Sequence, residues 1–238
     1  MKPLLGVIGG MGTQATACFY EKLHSLQTVK AEQEYLDVLV YSMPSIPDRT
    51  AFITGQSDIS PLEPLIHVAR TLESAGASCI AIPCVTSHFF YNELVDAVGI
   101  PVLNMLDETA GFVSGRGIGR VCLLATDGTL KGGAFNAAFA KIGIEVVVPP
   151  VDVQAALMAV IYDVKRGAAV SPDLLDAIAA DALGSAAVGS AAVGGATVCG
   201  ATAVILGCTE LCVIAHENPG VVNTLEVLAG AALRVCKA

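Results

Sequence analysis

Two stretches of this chain share one pattern, and that pattern constrains the fold more than any other feature. Residues 80–88 read Ile-Ala-Ile-Pro-Cys-Val-Thr-Ser-His, and residues 203–211 read Ala-Val-Ile-Leu-Gly-Cys-Thr-Glu-Leu. Each begins with a short apolar run typical of a buried strand, is interrupted by Pro or Gly, and continues with a cysteine and hydroxyl residues that favour a helix start. The pattern predicts two strand-to-helix corners, with Cys84 and Cys208 in equivalent positions.

A cysteine at such a corner lies beside unpaired backbone N–H groups and the positive end of a helix dipole, and both favour the thiolate over the thiol. Two matched corners therefore indicate two reactive cysteines. The chain has eight cysteines, and we expect the others to pack as small apolar side chains. These others are Cys18, Cys79, Cys122, Cys199, Cys212 and Cys236.

The alternation of strand and helix patterns indicates an α/β fold. Strands are predicted at residues 4–8, 35–42, 78–82, 99–103, 121–125, 143–148 and 203–206. Helices are predicted at residues 13–26, 62–75, 86–94, 106–113, 135–142, 153–165, 172–183, 211–216 and 225–235. The same order restarts near residue 121, so we predict two similar doubly wound parallel-sheet domains. The first comprises residues 1–100 and 215–238, and the second comprises residues 101–214.

The composition of the chain limits the kinds of molecule that it is expected to bind. A formal net charge of −9 and a pI of about 4.8 argue against nucleic acid and anionic membranes, because both require a basic surface. No charge occurs between Asp181 and Glu210, but this segment is rich in Gly and Ala, and residues 184–193 are a five-residue tandem repeat. We interpret it as a helix or irregular insertion followed by a buried strand, and expect a cytoplasmic protein with reduced thiols.

Three further features are typical of ligand sites. The turn Gly9-Gly10-Met11-Gly12 follows a strand and precedes a helix, so its backbone N–H groups can bind an anion; an ordinary tight turn is the alternative. Arg49 lies after two prolines at the carboxyl end of a strand, where it can bind a carboxylate or remain an ordinary solvated loop arginine. Lys165 ends an amphipathic helix, three residues after Tyr162.

Together these motifs resemble the aspartate/glutamate racemase family, specifically the cofactor-independent aspartate racemases. The matching segments extend from residue 6 to about residue 210. They are Gly9-Gly10-Met11-Gly12, Met43-Pro44, Pro47-Asp48-Arg49-Thr50, Pro83-Cys84, Thr86-Ser87-His88, Ala125-Thr126, Gly128-Thr129, Lys165 and Gly207-Cys208-Thr209-Glu210.

The resemblance implies two flavodoxin-like domains, related by a pseudo-two-fold axis and facing each other across the active-site cleft. It also implies a homodimer that needs neither pyridoxal phosphate nor metal. Arg49 and Lys165 would hold the side-chain carboxylate of aspartate, and residues after each cysteine would hold the amino-acid end. Two positions depart from the family pattern: Val85 stands where Asn is usual, and Asn223 where Asp is usual.

Racemisation removes a proton from one face of Cα and returns one to the opposite face, so a two-base enzyme needs groups on both sides of a flat intermediate. We predict Cys84 and Cys208 as these bases and an acidic amino acid, aspartate or else glutamate, as the substrate. The predicted substrate contacts are Met11, Arg49, Val85, Thr86, Ser87, Thr126, Thr129, Lys165 and Thr209. The predicted supporting residues are Gly10, His88 and Glu210.

Other interpretations remain open. Cys84, His88, Cys208 and Cys212 form two i, i+4 pairs that would suit a zinc site. Cys84 with His88 alone would suit a cysteine hydrolase, which gives Cys208 no role. A superfamily relative that acts on other carboxylates, such as a maleate isomerase or a decarboxylase-like enzyme, and a non-catalytic amino-acid-binding protein are further alternatives. For His88, polarising the thiolate and supporting the packing are equally consistent with its position.

Overall fold

The computed structural model describes residues 2–183 and 201–237. The tandem repeat and Cys199 lie outside the described residues. Among the described residues, no helix is long and apolar enough to cross a membrane.

The first sheet is parallel and three-stranded. Its strands are β1 (Leu4–Gly9), β2 (Asp37–Ser42) and β3 (Cys79–Ala81), in the order β2-β1-β3. The strand predicted at residues 99–103 is reduced to a single bridge between Ile80 and Val102. Pro101 explains this correction in part, since proline has no N–H to extend the ladder.

The second sheet is parallel and four-stranded, with β4 (Arg120–Ala125), β5 (Glu145–Val147), β6 (Ala203–Gly207) and β7 (Val221–Asn223). Its order, β5-β4-β6-β7, repeats that of the first sheet, with the bridge at Val102 in the place of β7. The predicted α/β class with two similar parallel sheets is therefore confirmed. β7 was not predicted, and the domain limits stay a prediction, since β7 falls within 215–238 but pairs with β6.

The described helices surround both sheets. They are α1 (Thr13–Ser25), α2 (Arg49–Thr54), α3 (Leu62–Ser74), α4 (Tyr91–Ala97), α5 (Met105–Ser114), α6 (Asp127–Gly132), α7 (Ala134–Ala140), α8 (Val151–Lys165), α9 (Asp173–Ala182), α10 (Thr209–Ile214) and α11 (Thr224–Lys237). Two 3₁₀ segments, Glu32–Glu34 and Val85–Phe90, complete the set. The short helices α2 and α6 were not predicted. Each begins at a side-chain cap, since Asp48 accepts from the Ala51 N–H and Thr126 from the Thr129 N–H.

One hydrophobic core spans both halves. It contains Leu5 and Val7 of β1, Leu124 of β4, Ile205 of β6 and Leu228 of α11, all of them fully buried. Helix α11 packs against α1 and α5 and reaches strands of both sheets. The C-terminal helix thus joins the two halves on the side where their apolar surfaces meet.

Candidate active site

The carboxyl ends of the two sheets meet at a close polar interface. Helix α2 follows β2 of the first sheet, and α6 follows β4 of the second. A Cβ on Gly128 of α6 would lie 2.8 Å from Cα of Thr50 in α2, so only glycine allows this approach. Lys131 also donates from Nζ to the Thr54 carbonyl at 3.2 Å. The turns that follow the strands of both sheets therefore border one interface.

Three threonine hydroxyls cross this interface. Thr86 Oγ1 lies 3.0 Å from Oγ1 of Thr126 and 3.0 Å from Oγ1 of Thr129, and the last two lie 3.1 Å apart. Thr86 follows the Cys84 corner, whereas the other two begin α6 in the second half. All three are at most 7% exposed, so they form a buried hydrogen-bonded triangle between the halves.

The three hydroxyls also show where the two cysteine corners lie relative to each other. Ala125 pairs with Gly207 in the second sheet, so Thr126 and Cys208 follow paired residues of neighbouring strands. Neighbouring strands lie about 4.8 Å apart. Thr126 reaches Thr86, two residues after Cys84. Cys84 and Cys208 therefore approach the same interface from opposite halves.

At the first corner, a histidine holds the backbone of Cys84. Cys84 follows β3, begins the 3₁₀ segment and is 5% exposed. His88 Nδ1 lies 3.0 Å from the Cys84 carbonyl oxygen, and the Met105 N–H donates to His88 Nε2 at 3.1 Å. Because Nε2 accepts, the ring proton resides on Nδ1, and burial lowers the pKa of His88 so that it stays neutral. Both ring nitrogens of His88 are therefore hydrogen-bonded to backbone groups.

At the second corner, a carboxylate accepts a hydrogen bond from the thiol itself. Cys208 Sγ donates to Glu210 Oε2 at 2.9 Å, and both residues are 3% exposed. Burial, followed by the charge of Glu210, raises the pKa of Cys208 well above its usual value, although Lys165 opposes this. Cys208 is therefore a thiol at neutral pH in this arrangement. The other carboxylate oxygen, Glu210 Oε1, is buried without a hydrogen-bond partner.

The glycine turn after β1 lies against this carboxylate. A Cβ on Gly12 would lie 3.0 Å from Glu210 Oε1. Gly10 has a φ of +94° and no room for a side chain, since a Cβ there would lie 2.5 Å from the Met43 backbone. The Ser87 hydroxyl donates to Met11 Sδ at 3.3 Å, which joins this turn to the Cys84 corner.

The structural position of Arg49 differs from the expected one. It is the first residue of α2 rather than a loop residue, and it is only 7% exposed. Its Nη1 donates to the carbonyls of Ile46 at 3.2 Å and Pro47 at 2.9 Å. Its Nε is buried and has no hydrogen-bond partner. The solvated-arginine alternative is therefore wrong, and a buried cation with a free donor borders the interface.

Lys165, at the end of α8, is the second cation. Its Nζ lies 3.9 Å from Asp48 Oδ2, which also accepts from the Tyr162 hydroxyl at 3.3 Å. Burial lowers the pKa of Lys165, but nearby negative charge, chiefly that of Glu210, outweighs burial and raises the pKa overall. Lys165 therefore stays charged, and its field reaches Cys208.

The unpaired atoms indicate what the site can bind. Arg49 Nε needs an acceptor, Glu210 Oε1 needs a donor, and Thr50 Oγ1 is also buried without a partner. A buried polar group without a partner costs about 1–3 kcal/mol. A small ligand with a carboxylate and an N–H donor would satisfy both charged groups.

The structure brings most of the predicted residues to this interface. Thr209 is buried at the start of α10, next to Cys208, whereas Val85 packs into the shared core. Asp48 and Thr50 belong to the matching segment Pro47-Asp48-Arg49-Thr50, but no role was predicted for them from the sequence. Asp48, directly after Pro47, was the available signal for a capped helix start.

The zinc interpretation does not fit this geometry. Both ring nitrogens of His88 are engaged by backbone groups, and Cys212 Sγ lies 3.5 Å from the Thr224 hydroxyl. Among residues 2–183 and 201–237, no group of three or more His, Cys, Asp or Glu side chains is placed to hold a metal ion.

The structure defines the class of this protein: a two-lobed α/β protein with one cysteine at the facing edge of each parallel sheet. Comparison with known protein families agrees with this class. Residues 8–236 match the family model described as Asp/Glu/Hydantoin racemase. The chain belongs to the Asp/Glu/Hydantoin racemase family.

Individual relatives agree with this assignment. An aspartate racemase structure from Picrophilus torridus is 28% identical, with a TM-score of 0.82, and the match covers 99% of this chain and 94% of that one. An aspartate racemase homologue from Pyrococcus horikoshii is 24% identical, with a TM-score of 0.76 and full coverage of both chains, and supports the fold alone. A broad-specificity amino-acid racemase from Bacillus subtilis is 26% identical over 150 residues, which are 60% of this chain and 63% of that protein.

Proposed function

We propose that this chain is an amino-acid racemase that interconverts L- and D-aspartate without pyridoxal phosphate, using Cys84 and Cys208 as its two bases. The observation that carries the proposal is the pair of cysteine corners, which approach one buried interface from opposite halves. The buried Arg49 and the partly exposed Lys165 at the same interface support an acidic amino acid as the substrate.

The proton transfers follow from this placement. One cysteine, as thiolate, removes the Cα proton, and the other, as thiol, donates a proton to the opposite face. Cys208 begins as a thiol because Glu210 accepts its hydrogen bond, so in the resting state it is the donor. In the reverse direction Cys208 must lose its proton, and Glu210 is the nearest acceptor at 2.9 Å.

The acidity of the Cα proton is much lower than that of a thiol, so fixed donors must stabilise the intermediate. The hydroxyls of Thr86, Thr126 and Thr129 and the N–H groups at the starts of the adjacent helices provide such donors. In the structure the three hydroxyls bond to one another. A substrate carboxylate would replace these mutual bonds with charge-assisted ones, which are roughly twice as strong.

Substrate entry requires the two edges to separate. Both cysteines and the triangle are nearly fully buried. Polar contacts close part of the interface, such as the Lys131 bond to Thr54 and the Tyr162 bond to Asp48. The shared apolar core between the sheets and α11 extends to Val85 and Cys208 at this interface. Opening would therefore replace these polar contacts with water and expose the edge of the core at Val85 and Cys208.

The names of two relatives support the substrate class. The Picrophilus torridus structure is an aspartate racemase, which favours aspartate, and the Bacillus subtilis relative has broad specificity. We therefore propose aspartate as the preferred substrate, glutamate as the next, and neutral amino acids such as alanine as poor ones, because only an acidic side chain pairs with Arg49 and Lys165.

The test is racemisation of aspartate, glutamate and alanine by the wild type and by Cys84→Ser and Cys208→Ser, followed by chiral chromatography without added cofactor. We expect each variant to lose about 10²- to 10⁴-fold of the aspartate rate, as for removal of a general acid or base. Cys18→Ser, which replaces a half-buried cysteine of α1, is the matched control and should keep the wild-type rate. A Cys208→Ser variant with the wild-type rate would contradict the proposal and favour a single-cysteine mechanism.

A further inference from the structure

Two cysteines outside the proposed active site lie in direct contact. Cys79 is the first residue of β3, and Cys236 lies in the last turn of α11. Their sulfur atoms are 3.0 Å apart, although 157 residues separate them in the sequence. We propose that Cys79 and Cys236 form a redox modification site, which a hydroperoxide converts into a disulfide that joins the C-terminal helix to the first sheet.

The geometry requires little movement. A disulfide has an S–S distance of about 2.05 Å, so the two sulfurs need to approach by about 1 Å. The backbone near Cys79 is fixed by its parallel pairing with Leu5 of β1, and α11 packs against both β1 and β3. The two side chains are 1% and 5% exposed, so neighbouring groups already hold the sulfurs together.

The two thiols differ in reactivity. A hydrogen bond from Cys79 holds the pKa of Cys236 below its ordinary value, with help from the Ser78 hydroxyl and against the effect of burial. The same contact, together with burial, raises the pKa of Cys79. Since the thiolate is the nucleophile, Cys236 is the sulfur that attacks an oxidant, and Cys79 is the one that resolves the product.

The reaction balances in two steps. In the first, the Cys236 thiolate attacks an oxygen of the hydroperoxide, so an S–O bond forms, the O–O bond breaks, and an alcohol or water leaves after protonation. In the second, the Cys79 sulfur attacks Sγ of Cys236, the S–S bond forms, and hydroxide leaves with the Cys79 proton as water. The two sulfurs supply the two electrons that reduce the peroxide.

Access to the pair comes from the helix end. Cys236 lies next to Lys237, the last residue of α11, and terminal helical turns open at little free-energy cost. A peroxide molecule is small enough to reach Cys236 in such an opening, whereas β3 stays paired and keeps Cys79 in place.

The disulfide would have a measurable effect on stability. It would close a loop across most of the chain, which restricts the unfolded state. We expect the Tm to rise by about 5–10 °C on oxidation. The link also ties α11 to the strand that leads into the Cys84 corner.

The direct test uses the wild-type protein and does not depend on racemase activity. The protein is treated with hydrogen peroxide, its remaining thiols are blocked with N-ethylmaleimide, and tryptic peptides are analysed by tandem mass spectrometry without reduction. Cys79 and Cys84 share the tryptic peptide of residues 71–116, so the fragment ions assign the link to one of them. We expect a cross-linked peptide pair that contains Cys79 and Cys236, together with the rise in Tm, and both should disappear after dithiothreitol treatment.

Two variants sharpen the result. Cys236→Ser should lose both the cross-link and the rise in Tm, whereas Cys18→Ser should retain both. If peroxide leaves both thiols free, oxidises Cys236 only to a sulfinic acid, or links either cysteine to a different partner, the proposal is wrong. Because the wild-type digest reports the link directly, a poorly folded variant would not obscure the outcome.

Discussion

The two cysteine corners occupy equivalent positions in the two sheets, yet their surroundings differ. Both cysteines follow the strand next to the first strand of their sheet, and both begin a helical segment. Two residues after Cys84 stands Thr86, whose hydroxyl contacts the other half. Two residues after Cys208 stands Glu210, whose carboxylate accepts from the thiol. The repeated fold sets where each sulfur lies, and the following residues set its proton environment.

The comparison extends to the supporting residues. His88 is buried, neutral and bonded to the backbone of Cys84, so it stabilises the shape of the first corner. Glu210 is bonded to the sulfur at the second corner, so it influences the proton of Cys208. We therefore expect a change of Glu210 to alter the pH dependence of the rate, and a change of His88 to alter the stability of the fold.

Glu210→Gln should produce the larger change in activity. Burial and then the charge of Glu210 raise the pKa of Cys208, so removing this charge should lower that pKa without abolishing the effect of burial. In the direction where Cys208 donates a proton, the rate falls as pH rises through this pKa, and the alkaline decline should move to lower pH. In the direction where Cys208 must lose a proton, we expect kcat to fall by about 10- to 100-fold because the acceptor is lost.

The measurement is a pH profile of kcat at saturating L-aspartate and at saturating D-aspartate. The equilibrium constant of racemisation fixes the ratio of the two kcat/KM values, so kcat is the quantity that can differ between the two directions. Glu217→Gln, which changes an exposed glutamate in the loop after α10, is the control and should leave both profiles unchanged. Equal effects of Glu210→Gln on both directions, with no displacement of the alkaline limb, would show that the two corners are not distinguished by this carboxylate.

His88→Gln should instead reduce stability. It disturbs the hydrogen bonds that His88 makes to the Cys84 carbonyl and the Met105 N–H, so we expect the free energy of unfolding to fall by about 1–3 kcal/mol. Because burial lowers the pKa of His88 in the folded state, the unfolded chain binds a proton first as pH falls. Neutral His88 therefore contributes its full share to the free energy of unfolding above about pH 6.5, and this contribution is lost as the pH falls below that value.

Urea unfolding at several pH values between 5 and 8 checks this prediction. The wild type should lose stability towards acid, and His88→Gln should lose part of that pH dependence. His67→Gln, at an exposed histidine of α3, is the control. An unchanged acid slope in His88→Gln would mean that His88 is not the group responsible.

The features predicted from the sequence are those set by local patterns. Each cysteine corner consists of consecutive residues: an apolar run, a Pro or Gly that ends the strand, and residues that cap a helix. Its position at a strand end could therefore be predicted from the sequence. The burial of Arg49 was not, because it depends on the approach of α2 to α6 at Gly128, a contact between distant segments. β7 was missed because it has only three residues, too few to show a period.

The central claim, two bases on opposite faces of Cα, is tested most directly by wild-type turnover in D2O. L-aspartate is incubated with the enzyme, and the α-position of the recovered substrate and of the D-aspartate formed is analysed by proton NMR at early times. The account predicts that D-aspartate carries deuterium from the first turnovers, whereas the remaining L-aspartate keeps its α-proton. Equal early deuterium incorporation into both enantiomers would contradict it, because a single exchanging base would then serve both faces.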